Sequence, residues 1–321
     1  MSSIPMSCRR NKSMKILNVC CGAVGACFCG RLAQHGAEVA VTVRRDRELI
    51  EQQGFRIKSI GGDFVFRPQA VLNSAAEYRD QADYVILTSK VLPGADAVEL
   101  IKAAITPHTV IVLIQNGLGI EDALQAAFPD NEILSAVAYI GVTRTAPGEL
   151  DHQGAGKLIL GRFGGGASSA GEKLCAAFTA AGIPADYTED IAFYRWKKLL
   201  WNVPFNSLSV LGGGLLTCEM TDNGEVEMLC RKLMQEVIAA AHACGVELPD
   251  SMVEENIVYT RNFPPYKTSM LVDYEHNRPL EVEAIVGSVV RLARKHALNT
   301  PHLETVYAIL QAFDRHRQNQ I

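Results

Sequence analysis

Lys198, Asn202 and Asn206 stand at four-residue intervals in the segment WKKLLWNVPFN, residues 196–206. On a helix these three side chains would share one face, although Pro204 removes a backbone hydrogen bond and is expected to bend the helix. An ammonium group can polarise a carbonyl, stabilise the developing alkoxide and deliver a proton, while amides bind polar atoms without adding charge. The spacing therefore points one cation and two amides in the same direction. The alternative is an exposed lysine and two amides that serve as surface groups or helix caps.

Polar residues that could complete such a site occur in two further segments. Asn116 lies in QNGLG, directly after a predicted strand, and open α/β sheets bind ligands at the carboxyl ends of their strands. Ser269 and Glu281 lie in the stretch 268–283, which contains TSMLVD and PLEVE. Each residue also has a purely structural interpretation: Asn116 as a turn residue, Ser269 as a helix N-cap and Glu281 as a solvated helix carboxylate.

A glycine-containing turn follows the first predicted strand and reads CCGAVG, residues 20–25. Gly22 and Gly25 occupy the second and third glycine positions of G-x-G-x-x-G, while Cys20 stands in the first. Such a turn brings backbone close to a pyrophosphate, which rests on the N-terminus of the following helix. We therefore predict that Gly22, Ala23, Val24 and Gly25 bind a dinucleotide. The alternative is a plain strand-to-helix turn that binds no nucleotide.

Charged residues end the second predicted strand, where proteins that bind NAD commonly place an acidic residue on the ribose. Here the sequence is Arg44-Arg45-Asp46. A guanidinium at this position suits a 2′-phosphate and favours NADP, although Asp46 argues in the opposite direction. A solvated charge cluster on a loop is the alternative.

The first half of the chain alternates between short apolar runs and helical patterns, which is typical of a parallel sheet covered on both faces. Segment 148–161 is predicted to form a hairpin and segment 170–181 a helix. Strands are predicted at 15–20, 38–43, 82–88, 109–114 and 133–143, and further helices at 26–35 and 95–104.

The second half is predicted to be all-helical, with helices at 191–211, 224–244, 280–296 and 301–313. The fold class is therefore α/β: a Rossmann-like, doubly wound sheet followed by a helical domain. We place the dinucleotide-binding domain at 14–187 and the helical domain at 188–321, with the ligand site in the cleft between them. Residues 1–13 are predicted to be a loose leader.

Composition excludes several classes of protein. The formal net charge is −4 and no stripe of Lys and Arg is present, so nucleic acid is not an expected partner. No apolar run reaches the roughly 20 residues of a membrane span, and no signal peptide precedes the first strand, so we expect a cytoplasmic protein. The nine cysteines form no C-x-x-C pair. We therefore expect neither disulfides nor a metal site, and interpret Cys20, Cys21, Cys27 and Cys29 as small packed thiols.

In combination, these segments resemble the ketopantoate reductase (2-dehydropantoate 2-reductase) family, and the resemblance extends from about Met14 to the last helix. Members are NADPH-dependent enzymes with an N-terminal dinucleotide-binding domain and a C-terminal helical domain. The resemblance implies reduction of a 2-oxo acid, 2-dehydropantoate, to pantoate. It implies that Lys198 is the general acid and that Asn116, Asn202, Asn206 and Ser269 bind substrate.

On the cofactor side, the resemblance implies that Arg44 binds the 2′-phosphate. It also implies that Lys90 and Asn116 contact the cofactor and that Glu281 lies near its reactive end. A solvated loop charge is the alternative for Lys90. The chain departs from the family pattern at Cys20, where members carry the first glycine, and at Gly212-Gly213-Gly214, where better-known members carry polar residues.

Other functions are compatible with the same residues. One is a reductase of another 2-oxo acid or a 3-hydroxyacid dehydrogenase of similar architecture. Another is a non-catalytic NADP-sensing protein that regulates a partner. The apolar faces of the helical half would also allow two copies to associate, so a homodimer is a further expectation.

Overall fold

A computed structural model describes residues 13–319 of the chain. The predicted leader, residues 1–13, lies outside the described residues except for Ser13. Ser13 itself donates a hydrogen bond from its hydroxyl to the carboxylate of Glu38.

One sheet contains all ten strands of the described chain. The strands are β1 (Lys15–Val19), β2 (Glu38–Thr42), β3 (Phe55–Ser59), β4 (Phe64–Phe66), β5 (Ala70–Leu72), β6 (Tyr84–Leu87), β7 (Val110–Ile114), β8 (Ile133–Ala146), β9 (Glu149–Arg162) and β10 (Ala185–Tyr187). Their order is β4-β3-β9-β8-β7-β6-β1-β2-β5, and β10 pairs with β9. Strands β5, β2, β1, β6, β7 and β8 run parallel to one another, which brings their carboxyl ends to one edge.

Helices follow the strands in the first half and make up most of the second. They are α1 (Ala23–Gln34), α2 (Arg47–Gln53), α3 (Ala97–Ile101), α4 (Asp122–Ala127), α5 (Ser169–Ala180), α6 (Ile191–Leu211), α7 (Thr217–Asp222), α8 (Gly224–Ala243), α9 (Ser251–Asn262), α10 (Ser269–Glu275), α11 (Ser288–Lys295) and α12 (Pro301–Gln318). A π-helical turn, Glu283–Gly287, leads into α11. The predicted α/β class with a helical second half is confirmed.

The predicted hairpin at 148–161 is wrong. These residues belong to a single long strand, β9, which pairs antiparallel with β8. The turn between the two strands lies at Pro147 and Gly148, and Gly148 has a φ of +67°. The glycines that suggested a turn inside the segment flank Ala155, where the register of β8 and β9 shifts. They therefore produce a β-bulge and not a chain reversal.

Helix α6 forms as predicted and runs through Pro204. Its buried face packs in the core of the helical half together with α8. The helix predicted at 280–296 instead begins with the π-helical turn, and the last helix extends beyond residue 313 to Gln318. None of the helices between residues 13 and 319 has the length and apolar content that a membrane crossing requires.

Candidate active site

Loops after four parallel strands meet at the carboxyl edge of the sheet. The glycine turn follows β1, Arg44 follows β2, Lys90 follows β6 and Asn116 follows β7. Two of these loops are joined directly, because the Gln115 amide donates to the carbonyl oxygen and the hydroxyl of Ser89, at 2.8 and 2.9 Å. The sheet topology therefore gathers the residues that the sequence predicts for cofactor binding.

The glycine turn leaves an open approach to the N-terminus of α1. Gly22 is the N-cap, and a Cβ atom placed on it would have no neighbour within 4 Å. A Cβ on Gly25, by contrast, would collide with the side chains of Asn18 and Thr88. The first backbone N–H groups of a helix have no intrahelical acceptor and attract anions. The turn therefore fits the pyrophosphate of a dinucleotide, with Gly22 leaving space for it and Gly25 allowing close packing.

Cys20 takes the place of the first glycine of the motif. Its φ is +58°, a left-handed conformation that glycine adopts freely and other residues adopt at a cost. The backbone is held in place because Cys20 N donates to Thr42 Oγ1 at 2.9 Å. The first position of the turn therefore holds a strained residue whose backbone is anchored to β2.

Arg44 is exposed at the end of β2, beside the glycine turn. Burial raises the pKa of the Cys20 thiol, and the nearby Arg44 guanidinium opposes this increase. Asp46, the acidic residue of the same loop, forms an ion pair with Arg144 of β8. The carboxylate is therefore engaged by another guanidinium, while Arg44 lies beside the turn.

Lys198 extends from α6 to the sheet. Its Nζ donates to Asn116 Oδ1 at 2.8 Å and to the carbonyl oxygen of Ala138 at 2.7 Å. The Tyr139 ring centroid lies 5.8 Å from the same nitrogen. The ammonium is thus held at the junction of the sheet and the helices, and is not directed into bulk solvent.

The environment of Lys198 shifts its acidity toward neutral pH. The pKa of the ammonium is lowered to about 8: burial is the largest cause and the charge of Arg195 adds to it, while the charge of Glu281 opposes both. A lysine in this range exchanges a proton near physiological pH far more readily than one at its ordinary value.

Glu281 links the helical half to two loops of the sheet. It accepts hydrogen bonds from Val91 N at 3.0 Å and from Asn116 Nδ2 at 3.1 Å. Burial raises the pKa of its carboxyl group, and these two donors act against the increase. Lys90 lies next to this contact and pairs with Asp273 of α10 at 2.5 Å. The structure therefore places Lys90, Asn116 and Glu281 together.

Asn206 and Ser269 meet deeper in the helical half. Asn206 Oδ1 accepts from Ser269 Oγ at 3.3 Å and from Met270 N at 3.1 Å. Ser269 is the first residue of α10, whose N-cap is Thr268. Asn202 lies on the same helix between Lys198 and Asn206. A small cavity at the junction is lined by Gln115, Asn116, Gly117, Val137, Arg195, Lys198, Leu199 and Asn202.

Comparison with known proteins shows the family to which the chain belongs. Residues 16–165 match the family model described as ketopantoate reductase PanE/ApbA, and residues 190–314 match the model of its C-terminal part. The chain belongs to the ketopantoate reductase family. As a ketopantoate reductase-type protein, it is an oxidoreductase that acts on a 2-oxo acid.

Ketopantoate reductases of known name resemble the chain over almost its full length. A 2-dehydropantoate 2-reductase from Nostoc is 31% identical over 94% of this chain and 95% of its own. The crystal structure of a 2-dehydropantoate 2-reductase from Methylococcus capsulatus is 46% identical with a TM-score of 0.90, and covers 95% of this chain and 98% of its own. A dimeric ketopantoate reductase from Staphylococcus aureus is 25% identical with a TM-score of 0.78. The match covers 95% of this chain and 100% of its own.

Sequence reasoning missed one charged residue of this ketopantoate reductase-type site. Arg195 is buried one helical turn before Lys198 and lines the same cavity. The segment in which Lys198, Asn202 and Asn206 were identified begins one residue later, at Trp196. The available signal was the spacing, because residues three apart on a helix lie on the same side.

Proposed function

We propose that this protein reduces 2-dehydropantoate to pantoate with NADPH, and that Lys198 is the proton donor. The observation that carries the proposal is the position of the Lys198 ammonium. It lies 2.8 Å from Asn116, at the sheet edge that also carries the glycine turn, and its pKa is lowered to about 8.

The chain's own residues have distinct tasks in this reaction. NADPH, when bound, supplies the hydride for the ketone carbon of the substrate. Lys198 polarises the ketone oxygen and delivers the proton as the alkoxide forms. Glu281 holds the Asn116 amide, so that its oxygen faces the ammonium. Asn202, Asn206 and Ser269 provide uncharged hydrogen-bonding groups for the hydroxyl and carboxylate groups of the substrate.

The choice of NADPH over NADH rests on the loop after β2. Arg44 is exposed beside the glycine turn, where a guanidinium can pair with a 2′-phosphate. Asp46 would repel that phosphate, but its carboxylate is paired with Arg144. Gly22, Ala23, Val24 and Gly25 would receive the pyrophosphate, and Lys90 would add positive charge near Glu281.

A substrate panel tests the proposal. The purified protein is assayed for oxidation of NADPH and of NADH with 2-dehydropantoate and a series of other 2-oxo acids. We expect the highest kcat/KM with 2-dehydropantoate and NADPH. A higher kcat/KM with another 2-oxo acid would overturn the substrate, and a preference for NADH would overturn the cofactor. Tight binding of NADPH with no turnover on any oxo acid would indicate a sensor.

We propose a homodimer as the assembly. Large apolar side chains are exposed on α8, α9 and α12, and the relative from Staphylococcus aureus is described as dimeric. Sedimentation equilibrium at micromolar protein concentration tests this, since a monomeric mass would contradict it. Cytoplasmic localisation and the domain limits 14–187 and 188–321 stay predictions of the sequence.

A further inference from the structure

Arg195 joins helix α6 to two parts of the sheet. Its Nε lies 2.8 Å from Glu121 Oε1 and donates to Ser135 Oγ at 2.5 Å. Its Nη1 donates to the carbonyl oxygens of Gln115 and Gly117, at 3.0 and 3.1 Å. The side chain is only 6% exposed. One guanidinium therefore fixes four groups, and each group belongs to the sheet half of the chain.

Two of those groups flank Asn116, the residue that receives the Lys198 ammonium. The backbone on either side of Asn116 is thereby tied to the same helix that carries Lys198. Gly117 is also held from the other side, because a Cβ at this position, with its φ of +101°, would lie 2.5 Å from the carbonyl oxygen of Ala284. The loop is clamped between α6 and the π-helical turn.

We propose that Arg195 is a positioning residue for the reaction: it fixes the loop around Asn116 so that the amide meets the Lys198 ammonium, and it places a second buried cation beside that ammonium. This inference rests on the proposed function, in which Lys198 donates the proton. It assigns Arg195 no contact with substrate or cofactor.

The second part of the proposal follows from the charges that face Lys198. Arg195 on α6 lowers the pKa of the ammonium, and Glu281 raises it. Glu121, from the segment before α4, pairs with Arg195. Tyr139 on β8 faces the ammonium as a neutral phenol, since burial raises the pKa of its hydroxyl to about 12. The charge of Lys90 lowers the pKa of Glu281, and the charge of Asp273 raises it. Arg195 is the nearby cation that helps Lys198 to lose its proton.

The experiment measures the titration of Lys198 directly and through the reaction. Carbon-13 NMR of labelled lysine side chains follows Lys198 in the protein without cofactor, with the signal assigned by its loss in Lys198→Arg. The pH dependence of kcat/KM is recorded in parallel. In Arg195→Met we expect the pKa of Lys198 to rise by about one unit. The high-pH limb of the rate profile should move by the same amount, and kcat should fall about 10- to 100-fold.

Two matched variants separate charge from shape. Arg195→Lys keeps the cation but cannot span four groups, so kcat should fall while the high-pH limb stays in place. Lys197→Met removes an exposed cation from the same helix turn and should change neither quantity. A role confined to stability would lower the yield or the melting temperature of Arg195→Met but leave the titration of Lys198 unchanged, and this result would overturn the proposal.

Arg195→Met leaves the Glu121 carboxylate buried without its partner, which can prevent folding. The double variant Arg195→Met with Glu121→Gln removes both charges and keeps the proposal testable. It should again raise the pKa of Lys198, because the charge of Arg195 lowers this pKa, whereas Glu121 is not among the groups that shift it. An unchanged Lys198 titration in the folded double variant overturns the proposal.

Failure of the proposed function gives a different result. If the NMR titration of Lys198 shifts in Arg195→Met but the rate profile does not follow, Arg195 acts on Lys198 as proposed and Lys198 is not the proton donor.

Discussion

The Nζ of Lys198 and the Oδ1 of Asn116 lie 2.8 Å apart, although 82 positions separate the two residues in the chain. The opposite end of the same amide, Nδ2, donates to Glu281 at 3.1 Å. Asn116 thus has a fixed orientation, with its oxygen toward the cation and its nitrogen toward the carboxylate. Asn116 thus connects the sheet edge to α6, which carries Lys198, and to the segment before the π-helical turn, which carries Glu281.

Replacement of the ammonium tests its role most directly. Lys198→Ala removes the group that we propose polarises the carbonyl and supplies the proton, so kcat should fall by about 10²- to 10⁴-fold. Lys197→Ala, which alters the exposed neighbour on the same helix, should retain wild-type kcat. Steady-state kinetics of NADPH oxidation measures both. A Lys198→Ala enzyme with nearly unchanged kcat would refute the assignment.

The lowered pKa of Lys198 predicts opposite pH profiles for the two directions of the reaction. Reduction requires the ammonium form, so its kcat/KM should decline as the pH rises through about 8. Oxidation of the hydroxy acid requires the neutral amine, so its kcat/KM should increase over the same range. Profiles that decline or increase together would exclude a single lysine that exchanges the proton.

Much of this site could be predicted because its motifs are local. The four-residue spacing of Lys198, Asn202 and Asn206 needs only a helix, and α6 begins and ends at the predicted residues. The glycine turn likewise needs only a strand followed by a helix. Local patterns carry no information about contacts between distant segments. The ion pair of Asp46 with Arg144 therefore could not be predicted from the sequence.

Two features of the molecule could not be predicted from local patterns, because both depend on contacts between distant segments. The glycines around Ala155 suggested a turn, but the long antiparallel pairing of β8 and β9 absorbs them as a bulge. Nothing local shows that the guanidinium of Arg195 is buried, since burial of such a group is normally unfavourable. Its burial depends on Glu121, Ser135 and two carbonyl oxygens that only the tertiary structure supplies.

Gly22 and Gly25 of the glycine turn should respond differently to an added methyl group. Gly22→Ala places a Cβ in open space where the pyrophosphate is expected, so the melting temperature should stay near wild type while NADPH binding weakens at least tenfold. Gly25→Ala places a Cβ against Asn18 and Thr88, so the fold itself should lose about 1–3 kcal/mol. Thermal unfolding without cofactor and fluorescence titration with NADPH separate the effects. Unimpaired NADPH binding in Gly22→Ala would show that the pyrophosphate does not bind at this turn.

Cys20 gives a prediction about strain. Its left-handed φ of +58° costs about 1–2 kcal/mol, and glycine would relieve it. Glycine also makes the unfolded chain more flexible, which offsets about 0.4–1 kcal/mol of that gain. Cys20→Gly should therefore raise the free energy of unfolding by up to about 1.6 kcal/mol, whereas Cys20→Ala, which keeps a Cβ, should not. Urea denaturation of the three proteins measures the difference, and a less stable Cys20→Gly would show that the cysteine side chain supports the turn.

The proposed preference for NADPH assigns the 2′-phosphate to Arg44, since Asp46 on the same loop is paired with Arg144. A charge-assisted contact to a 2′-phosphate contributes about 1.5–3 kcal/mol, so Arg44→Ala should weaken NADPH binding about 10- to 100-fold. NADH has no 2′-phosphate, and its affinity should not change. Arg45→Ala removes the adjacent exposed cation and serves as the matched control. Equilibrium titration with both nucleotides measures these affinities. If only the general positive charge matters, the Arg44 and Arg45 variants should lose the same NADPH affinity. If Arg44 makes a specific contact with the phosphate, only the Arg44 variant should lose NADPH affinity.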